Sequence, residues 1–323
     1  MNEAGLPAEL RSPVSPPRPP LSRTTLAVLF FAPMGFTVLA YGAALLVFDR
    51  LAVEQREAAA APAASGAALF AQHCASCHGL TGDGRGVAHL EPRARAFGAD
   101  KFKLATTLNG VPTDDDLLRV LKRGIPGSAM PAFAAPADGA PPSGAAVAAH
   151  LSDDQMRAVI GHVRDLTRAG VYADIRRKIE KAGDEDFDPA KASQRAAVLS
   201  QPGEPLAVPT VPVSAAADRL ANGKAAYLKN CAQCHGPEGK GDGPQVKDMK
   251  NEDGTPNRPR DFTAGVYKGG KEPAQLYARI RLGIPGTPMP ATPASSLPDA
   301  DAADLISYVL SLGERRADGV AAR

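Results

Sequence analysis

The chain contains one pentapeptide pattern, Cys-x-x-Cys-His, in two places: CASCH at residues 74–78 and CAQCH at residues 231–235. The two copies hold all four cysteines of the 323 residues, so no cysteine is left for a disulfide framework. The sequence around the pentapeptides also recurs, in four blocks that keep the same order. This recurrence predicts a duplicated domain of about 100 residues, with too few copies for a solenoid.

The four blocks can be aligned by eye, and the copies differ mainly where loops are expected. The first copy has an extra Ala- and Pro-rich stretch after its methionine, and the second has a longer loop before its second block. The corresponding pairs are LFAQHCASCHGLTGDGRG with AYLKNCAQCHGPEGKGDG, PRARAF (92–97) with NRPRDF (257–262), RGIPGSAMP with LGIPGTPMP, and LSDDQMRAVIGHVRDL (151–166) with LPDADAADLISYVLSL (297–312).

Both copies are predicted to be helical. Residues 66–74 and 223–231 read as helices that run into the pentapeptides, and TDDDLLRVLKRG reads as a helix that Thr113 caps and Gly124 ends. No segment shows the convincing alternation that is typical of a strand, so we predict an all-α fold. The last block of each copy carries an apolar stripe with helical spacing, formed by Val159, Ile160, Val163 and Leu166 in the first copy and by Leu305, Ile306, Val309 and Leu312 in the second.

The pentapeptide pattern is typical of covalent haem attachment. Two thiols three residues apart can reach the two vinyl groups of one porphyrin, and the histidine that follows then lies under the iron. A structural zinc site needs four protein ligands, whereas each copy offers three, and a redox Cys-x-x-Cys is expected in a βαβ setting. We therefore predict two covalently bound haem c groups, with His78 and His235 as axial ligands and with attachment through Cys74, Cys77, Cys231 and Cys234.

Each copy also has a methionine in the context GIPGxxMP, Met130 in the first and Met289 in the second. A thioether sulfur suits haem iron as its sixth ligand, and His/Met ligation raises the reduction potential. The alternative is that both methionines pack in a core, although a Gly- and Pro-rich loop is better suited to bringing backbone close to a flat ligand. We predict that both are axial ligands; His89 is the competing candidate in the first copy.

Residues 24–48 contain no charged side chain. As a helix they would rise roughly 37 Å, enough to cross a hydrocarbon core of ~30 Å. A cleaved signal peptide is the alternative, although its apolar region spans only about 7–15 residues. We predict a transmembrane anchor, preceded by a disordered cytoplasmic leader at residues 1–23 and followed by a tether at residues 49–62.

Each repeat resembles a class I cytochrome c domain, and the whole chain resembles the membrane-anchored dihaem cytochromes c of bacterial respiratory chains. The resemblance implies two tandem all-α domains after the N-terminal helix, at residues 63–168 and 216–316, with a tail at residues 317–323. Between them, residues 169–215 form a linker. For its first part we leave a short helix and a disordered segment open, and we expect its second part to be an extended Pro-rich spacer that lets a carrier reach partners at different distances.

In that family a glycine eight residues before the first cysteine lets the first and last helices cross closely. An aromatic residue four positions before the same cysteine packs against an aromatic residue of the last helix. Gly66 and Gly223 match the glycine. Phe70 and Tyr227 match the first aromatic position, and Tyr308 matches that of the last helix in the second copy. In the first copy His162 stands at the last-helix position, which is a departure from the family pattern and puts the helix contact there in doubt.

The PRARAF and NRPRDF blocks resemble the haem-contacting loop of the family. A guanidinium fork suits a carboxylate, so the arginines of these blocks are candidate contacts to the haem propionates, with ordinary solvated charges as the alternative. They are Arg93, Arg95, Arg258 and Arg260. Because the family's haem is attached on the outer side of the cytoplasmic membrane, the resemblance also implies a single-pass inner-membrane protein with periplasmic or extracytoplasmic haem domains.

A haem iron capped by methionine changes oxidation state with little rearrangement and offers no open position to a substrate. We therefore expect an electron carrier rather than an enzyme, with a redox protein donor and acceptor of a respiratory chain as partners. A formal net charge of +2 gives no basic field that would indicate nucleic acid binding. Two alternatives remain: an electron-transfer subunit of a larger oxidase or reductase complex, and a dihaem cytochrome c peroxidase, which would need one labile sixth ligand.

Overall fold

The computed structural model describes residues 65–87, 90, 92–98, 101–135, 150–183 and 187–321, with side chains to residue 314. The predicted leader, anchor and tether lie outside these residues, as does His89. Within the described residues no helix is both long enough and apolar enough to cross a membrane. The described residues all belong to one compact unit, residues 64–323.

The described part of the chain is helical, as predicted, and its only β-structure is two single-residue bridges, between Thr107 and Pro205 and between Lys250 and Pro256. A 3-10 turn covers Phe262–Ala264. The helices are α1 (Gly66–His73), α2 (Ala75–His78), α3 (Asp114–Arg123), α4 (Asp153–Ala182), α5 (Pro189–Leu199), α6 (Ala217–Asn230), α7 (Ala232–His235), α8 (Pro273–Leu282) and α9 (Asp299–Ala321).

Local sequence accounts for where several helices begin and end. Thr113 caps α3 through a capping box with Asp116, and Gly124 ends the helix at a φ of 64°. Ser152 caps α4 in the same way with Gln155. The predicted cap and stop of α3 are therefore confirmed.

The two domains bury equivalent cores. In each, the first helix crosses the last one, α1 with α4 and α6 with α9. A Cβ atom at Gly223 would lie 2.0 Å from the carbonyl oxygen of Asp304, so only glycine permits this approach. The expected contact of Tyr227 with Tyr308 forms, with ring centroids 5.4 Å apart. His162 makes the equivalent contact with Phe70 at 5.1 Å, although it departs from the family pattern. The predicted apolar stripes face these cores, with Leu166 partly buried and the other seven residues buried.

The first part of the linker is helical. α4 continues without a break past residue 168 to Ala182, and α5 packs against it. Tyr172 and Phe187 make an edge-to-face contact at 6.5 Å between their ring centroids. Of the two interpretations left open by the sequence, the helix is the one that the structure shows.

The second part of the linker is extended, but it is not a free spacer. The amide of Leu108 donates to the carbonyl of Glu204 at 2.9 Å, and the amide of Leu206 donates to the carbonyl of Thr106 at 2.8 Å. Farther along, Ser214 N donates to Ser307 Oγ at 3.1 Å. The expectation of a spacer with variable reach is therefore wrong. The non-proline residues of this segment have free backbone amides and carbonyls, and these groups make hydrogen bonds to both domains.

Candidate haem sites

Each pentapeptide forms a short helical turn directly after a longer helix. The amide of Cys74 donates to the carbonyl of Phe70 at 2.8 Å, and the amide of His78 donates to the carbonyl of Cys74 at 2.9 Å. In the second domain the amides of Cys231 and His235 make the corresponding bonds at 2.8 and 2.9 Å. The two pentapeptides therefore share one backbone arrangement.

Each histidine makes one hydrogen bond to a distant backbone carbonyl. Nδ1 of His78 lies 3.0 Å from the carbonyl oxygen of Arg95, and Nδ1 of His235 lies 3.2 Å from that of Arg260. Because a carbonyl oxygen only accepts, Nδ1 carries the proton and donates it. Burial lowers the pKa of both imidazoles, against the raising effect of these hydrogen bonds. The neutral rings therefore present an unprotonated Nε2 to a metal ion.

An aromatic ring covers each of these imidazoles. Phe97 stacks on His78 with 4.7 Å between ring centroids, and Phe262 stacks on His235 at 4.4 Å. Neither phenylalanine is among the site residues predicted from the sequence. Each is the last residue of the PRARAF or NRPRDF block, so its recurrence at the same place in both copies was the available signal.

The first cysteine of each pair is a poor nucleophile as a free thiol. Burial, with a smaller contribution from the neighbouring cysteine, raises the pKa of Cys74 and of Cys231 to about 11. A thiol–disulfide enzyme needs the opposite shift, because the thiolate is its reactive form. This environment favours the attachment interpretation over a redox Cys-x-x-Cys.

The methionine loops have the same geometry in both domains. The amide of Ile125 donates to the carbonyl of Met130 at 3.1 Å, and the amide of Met130 donates to Ser128 Oγ at 3.2 Å. In the second loop the amide of Ile284 donates to the carbonyl of Met289 at 3.1 Å, and Met289 N donates to Thr287 Oγ1 at 3.2 Å. Each methionine is thus fixed at its backbone on both sides while its side chain stays half-buried.

Glycine makes these tight loops sterically possible. Gly124 and Gly283 begin the loops with φ values of 64° and 66°. A Cβ atom at either position would lie 2.6 Å from the carbonyl oxygen of Met130 or Met289, respectively. Met130 packs against the buried core cluster of the first domain. The site assignments of the two methionines remain predictions.

The four arginines of the repeated blocks have different environments. Nη1 of Arg93 donates to the carbonyl of Ala94 at 3.2 Å, and the Arg258 side chain is exposed. Arg95 is half-buried and contributes the carbonyl that accepts from His78. Nε of Arg260 is buried and has no hydrogen-bond partner among the described residues. An unpaired buried donor of this kind is costly, and a haem propionate would satisfy it.

The residues of both sites fit a c-type haem. Each domain supplies two cysteines on one helical turn, a neutral imidazole with Nε2 available, and a methionine on a loop closed by hydrogen bonds. This donor set of soft sulfur and imidazole nitrogen is one that iron in haem accepts. Met156 of α4 is a core residue with 1% of its surface exposed, so it is not available as an alternative ligand.

Comparisons with known proteins agree with this geometry. The model of the cytochrome c family matches residues 220–313, and that of the cbb3-type cytochrome c oxidase subunit III matches residues 61–151. A chain of the reducing HAO-like protein complex of Kuenenia stuttgartiensis is structurally similar, with a TM-score of 0.58 and 28% sequence identity over 78% of this chain and 98% of that chain. A search of curated proteins finds no match. The chain therefore contains two cytochrome c domains, each of which binds one covalently attached haem c.

Proposed function

We propose that this dihaem cytochrome c is a membrane-anchored carrier that passes single electrons between respiratory redox partners through two His/Met-ligated haems. His78 and Met130 would ligate the iron of the first haem, and His235 and Met289 that of the second. Cys74, Cys77, Cys231 and Cys234 would form the thioether links. The bound iron supplies the one-electron couple.

The observation that carries the proposal is that the two methionine loops have the same backbone geometry. A catalytic haem needs a sixth position that is open or can be opened, and a loop specialised for that purpose would differ from its partner. Here both loops have equivalent backbone hydrogen bonds and equivalent glycines, so both are suited to holding a permanent cap. This symmetry supports a carrier over a peroxidase.

The protein contributes orientation and exclusion of water. The carbonyls of Arg95 and Arg260 hold the two imidazoles in one tautomer, and the rings of Phe97 and Phe262 cover them. A ligand set that is already in place requires little rearrangement when the iron changes oxidation state.

The comparisons with known proteins support a second candidate function, that of an electron-transfer subunit of a larger oxidase or reductase. The first domain matches a model named for an oxidase subunit, and the structural relative belongs to a protein complex. A carrier and a subunit perform the same chemistry and differ in whether the chain copurifies with its partner in stoichiometric amounts.

The proposed location is the inner membrane, with the helix at residues 24–48 as a single span and the haem domains on the periplasmic side. Washing membranes with high salt and then with alkaline carbonate tests the anchor. We expect the chain to stay in the pellet at full length. Release of a shortened chain would contradict the anchor and indicate signal cleavage.

The ligation is tested in the full-length protein with Met130→Ala and Met289→Ala. Each variant should lose the sulfur–iron charge-transfer band of one haem and open that haem to CO, while the other haem stays capped. Met249→Ala is the control, because Met249 lies in a loop of the second copy that has no counterpart in the first. A variant that leaves the spectra of both haems unchanged would contradict the assignment of its methionine.

A further inference from the structure

Arg260 contacts both haem sites. Its backbone carbonyl accepts the hydrogen bond from Nδ1 of His235 in its own domain, at 3.2 Å. Its Nη2 donates to the carbonyl of Pro126 in the other domain, at 3.0 Å. Pro126 is the third residue of the loop that runs from Gly124 to Met130. One residue of the second domain thus holds the histidine of one site and the methionine loop of the other.

The guanidinium lies directly on the turn of that loop. A Cβ atom at Gly127 would lie 2.6 Å from both Nη1 and Nη2 of Arg260. Gly127 has a φ of 73°, a value that favours glycine. The contact therefore fixes the loop three to four residues before Met130, at the point where the chain reverses direction.

The corresponding turn of the second domain is held differently. Gly286 occupies the place of Gly127 with a φ of 75°, and a Cβ atom there would have no described atom within 4 Å. The carbonyl of Gly286 accepts from the amide of Glu252 at 3.2 Å, so its partner is backbone of the same domain. The two loops share their internal geometry but differ in their support.

We propose that Arg260 is a positioning residue shared by the two haem sites, which clamps the Met130 loop of the first domain from the second domain. The proposal rests on the proposed ligation of iron by Met130. Without the guanidinium the loop loses a charge-assisted hydrogen bond to Pro126, and the sulfur of Met130 is held less firmly. His235 keeps its orientation, because its acceptor is a backbone carbonyl that any residue at position 260 supplies.

The clamp predicts an effect in the domain that does not contain the mutation. In Arg260→Gln, the fraction of Met130 that is detached from the reduced iron should rise roughly tenfold, so CO should bind to the haem of the first domain, whereas the unaltered protein gives no CO spectrum. The reduction potential of that haem should fall, since methionine ligation raises it. Arg260→Lys keeps a charged donor and should restore part of the difference. Lys101→Gln, which removes an exposed interdomain ion pair with Glu252, is the control for loss of charge and of interdomain contact.

A pair of glycine variants tests the same clamp without altering Arg260. Gly127→Ala and Gly286→Ala impose the same backbone strain on equivalent turns, but only the first places a methyl group against the guanidinium. We expect Gly127→Ala to disturb its haem more than Gly286→Ala disturbs the other one. Equal effects in the two domains would overturn the proposal.

The readout should assign each haem separately. In the reduced full-length protein a ligated methionine gives a methyl resonance shifted far upfield by the porphyrin ring, and loss of one signal in Met130→Ala or Met289→Ala assigns the pair. In Arg260→Gln the Met130 signal should shift or broaden. The Met289 signal should stay, because the amide of Glu252 holds that loop and the loss of a propionate contact at Arg260 does not release it. If the unaltered protein lacks the Met130 signal, the proposed ligation of iron by Met130 is wrong. If both signals are present, and the Met130 signal is the same in Arg260→Gln as in the control Lys101→Gln, the ligation stands and the proposed clamp is wrong.

Discussion

Gly66 lies directly against Ala158: a Cβ atom at Gly66 would sit 1.9 Å from the carbonyl oxygen of Ala158. The contact is between α1 and the backbone of α4, so no side-chain rotation can relieve a clash. The attachment turn follows α1 directly, and α4 carries the apolar stripe of the core. The position of Cys74 therefore depends on this crossing.

Gly66→Ala should lower the free energy of unfolding by about 3 kcal/mol, because the added methyl group forces the two helices apart. Gly161→Ala is the matched control within α4: its Cβ atom would meet no described atom within 4 Å, and we expect it to stabilise the helix by about 0.5–1 kcal/mol. Guanidinium chloride unfolding of the holoprotein measures both changes. Similar values for the two variants would contradict the close crossing.

Asp116 makes the stability of the first domain dependent on pH. Burial alone would raise the pKa of this carboxyl group, but it accepts hydrogen bonds from the amide of Thr106, from Arg119, from the amide of Thr113 and from the Thr106 hydroxyl, and the net effect lowers the pKa. The unfolded chain, with an Asp pKa of about 3.9, therefore takes up the proton first as the pH falls. The stabilisation is present above pH ~4 and is lost as the pH falls through the lower pKa of the folded state.

Asp116→Asn should lower the free energy of unfolding by about 2 kcal/mol at neutral pH, since an amide accepts fewer of these hydrogen bonds. The difference from the unaltered protein should shrink below pH ~4, which urea unfolding at several pH values would measure. Asp115→Asn makes the same charge change at an exposed neighbour and should be close to neutral. A difference that is constant with pH would show that the Asp116 charge contributes nothing.

Arg279 joins the two domains through a buried contact. It is 7% exposed, its Nη1 donates to the carbonyl of Lys103 at 2.6 Å, and its Nη2 donates to the carbonyl of Ala105. Burial lowers its pKa to about 10, against the raising effect of the Asp116 charge, so it stays cationic at neutral pH. Arg123 and Glu272 also pair across the domains, at 2.7 Å, but both side chains are substantially exposed.

Arg279→Leu should therefore cost about 3 kcal/mol of unfolding free energy, because it leaves two carbonyls without their charged donor. Arg123→Gln should cost less than about 1 kcal/mol, as exposed ion pairs usually do. Limited proteolysis gives a second measurement: residues 201–216 should be cut faster in Arg279→Leu than in Arg123→Gln. Equal cutting rates would contradict the role of Arg279 in holding the domains together.

The local features of the fold follow from the sequence, whereas the contacts between the domains do not. Thr113, Gly124 and the apolar stripes act within one helix or turn, so their spacing along the chain is sufficient to identify them. Arg279 and Arg260 find their partners more than 100 residues away, and no periodicity marks such a pair.

At the haem sites, too, the residues in repeated motifs could be predicted from the sequence, whereas their distant hydrogen-bond partners could not. The cysteines, histidines and methionines stand in repeated motifs and were predicted from them. The carbonyls of Arg95 and Arg260 were missed as histidine acceptors because every residue has a carbonyl, and only the folded chain shows which one is aligned with Nδ1. The second part of the linker is extended as predicted, but its pairing with both domains could not be predicted, because Pro-rich sequence indicates extension and not what the extended segment pairs with.

The proposal that methionine ligates both haem irons is tested most directly by adding CO to the dithionite-reduced, full-length protein in detergent and recording the absorption spectrum of the haems. We expect an unchanged spectrum, because Met130 and Met289 would occupy the sixth position of both irons. A CO spectrum in about half of the haem would contradict it: one site would then be open or labile, and peroxide turnover would have to be measured next.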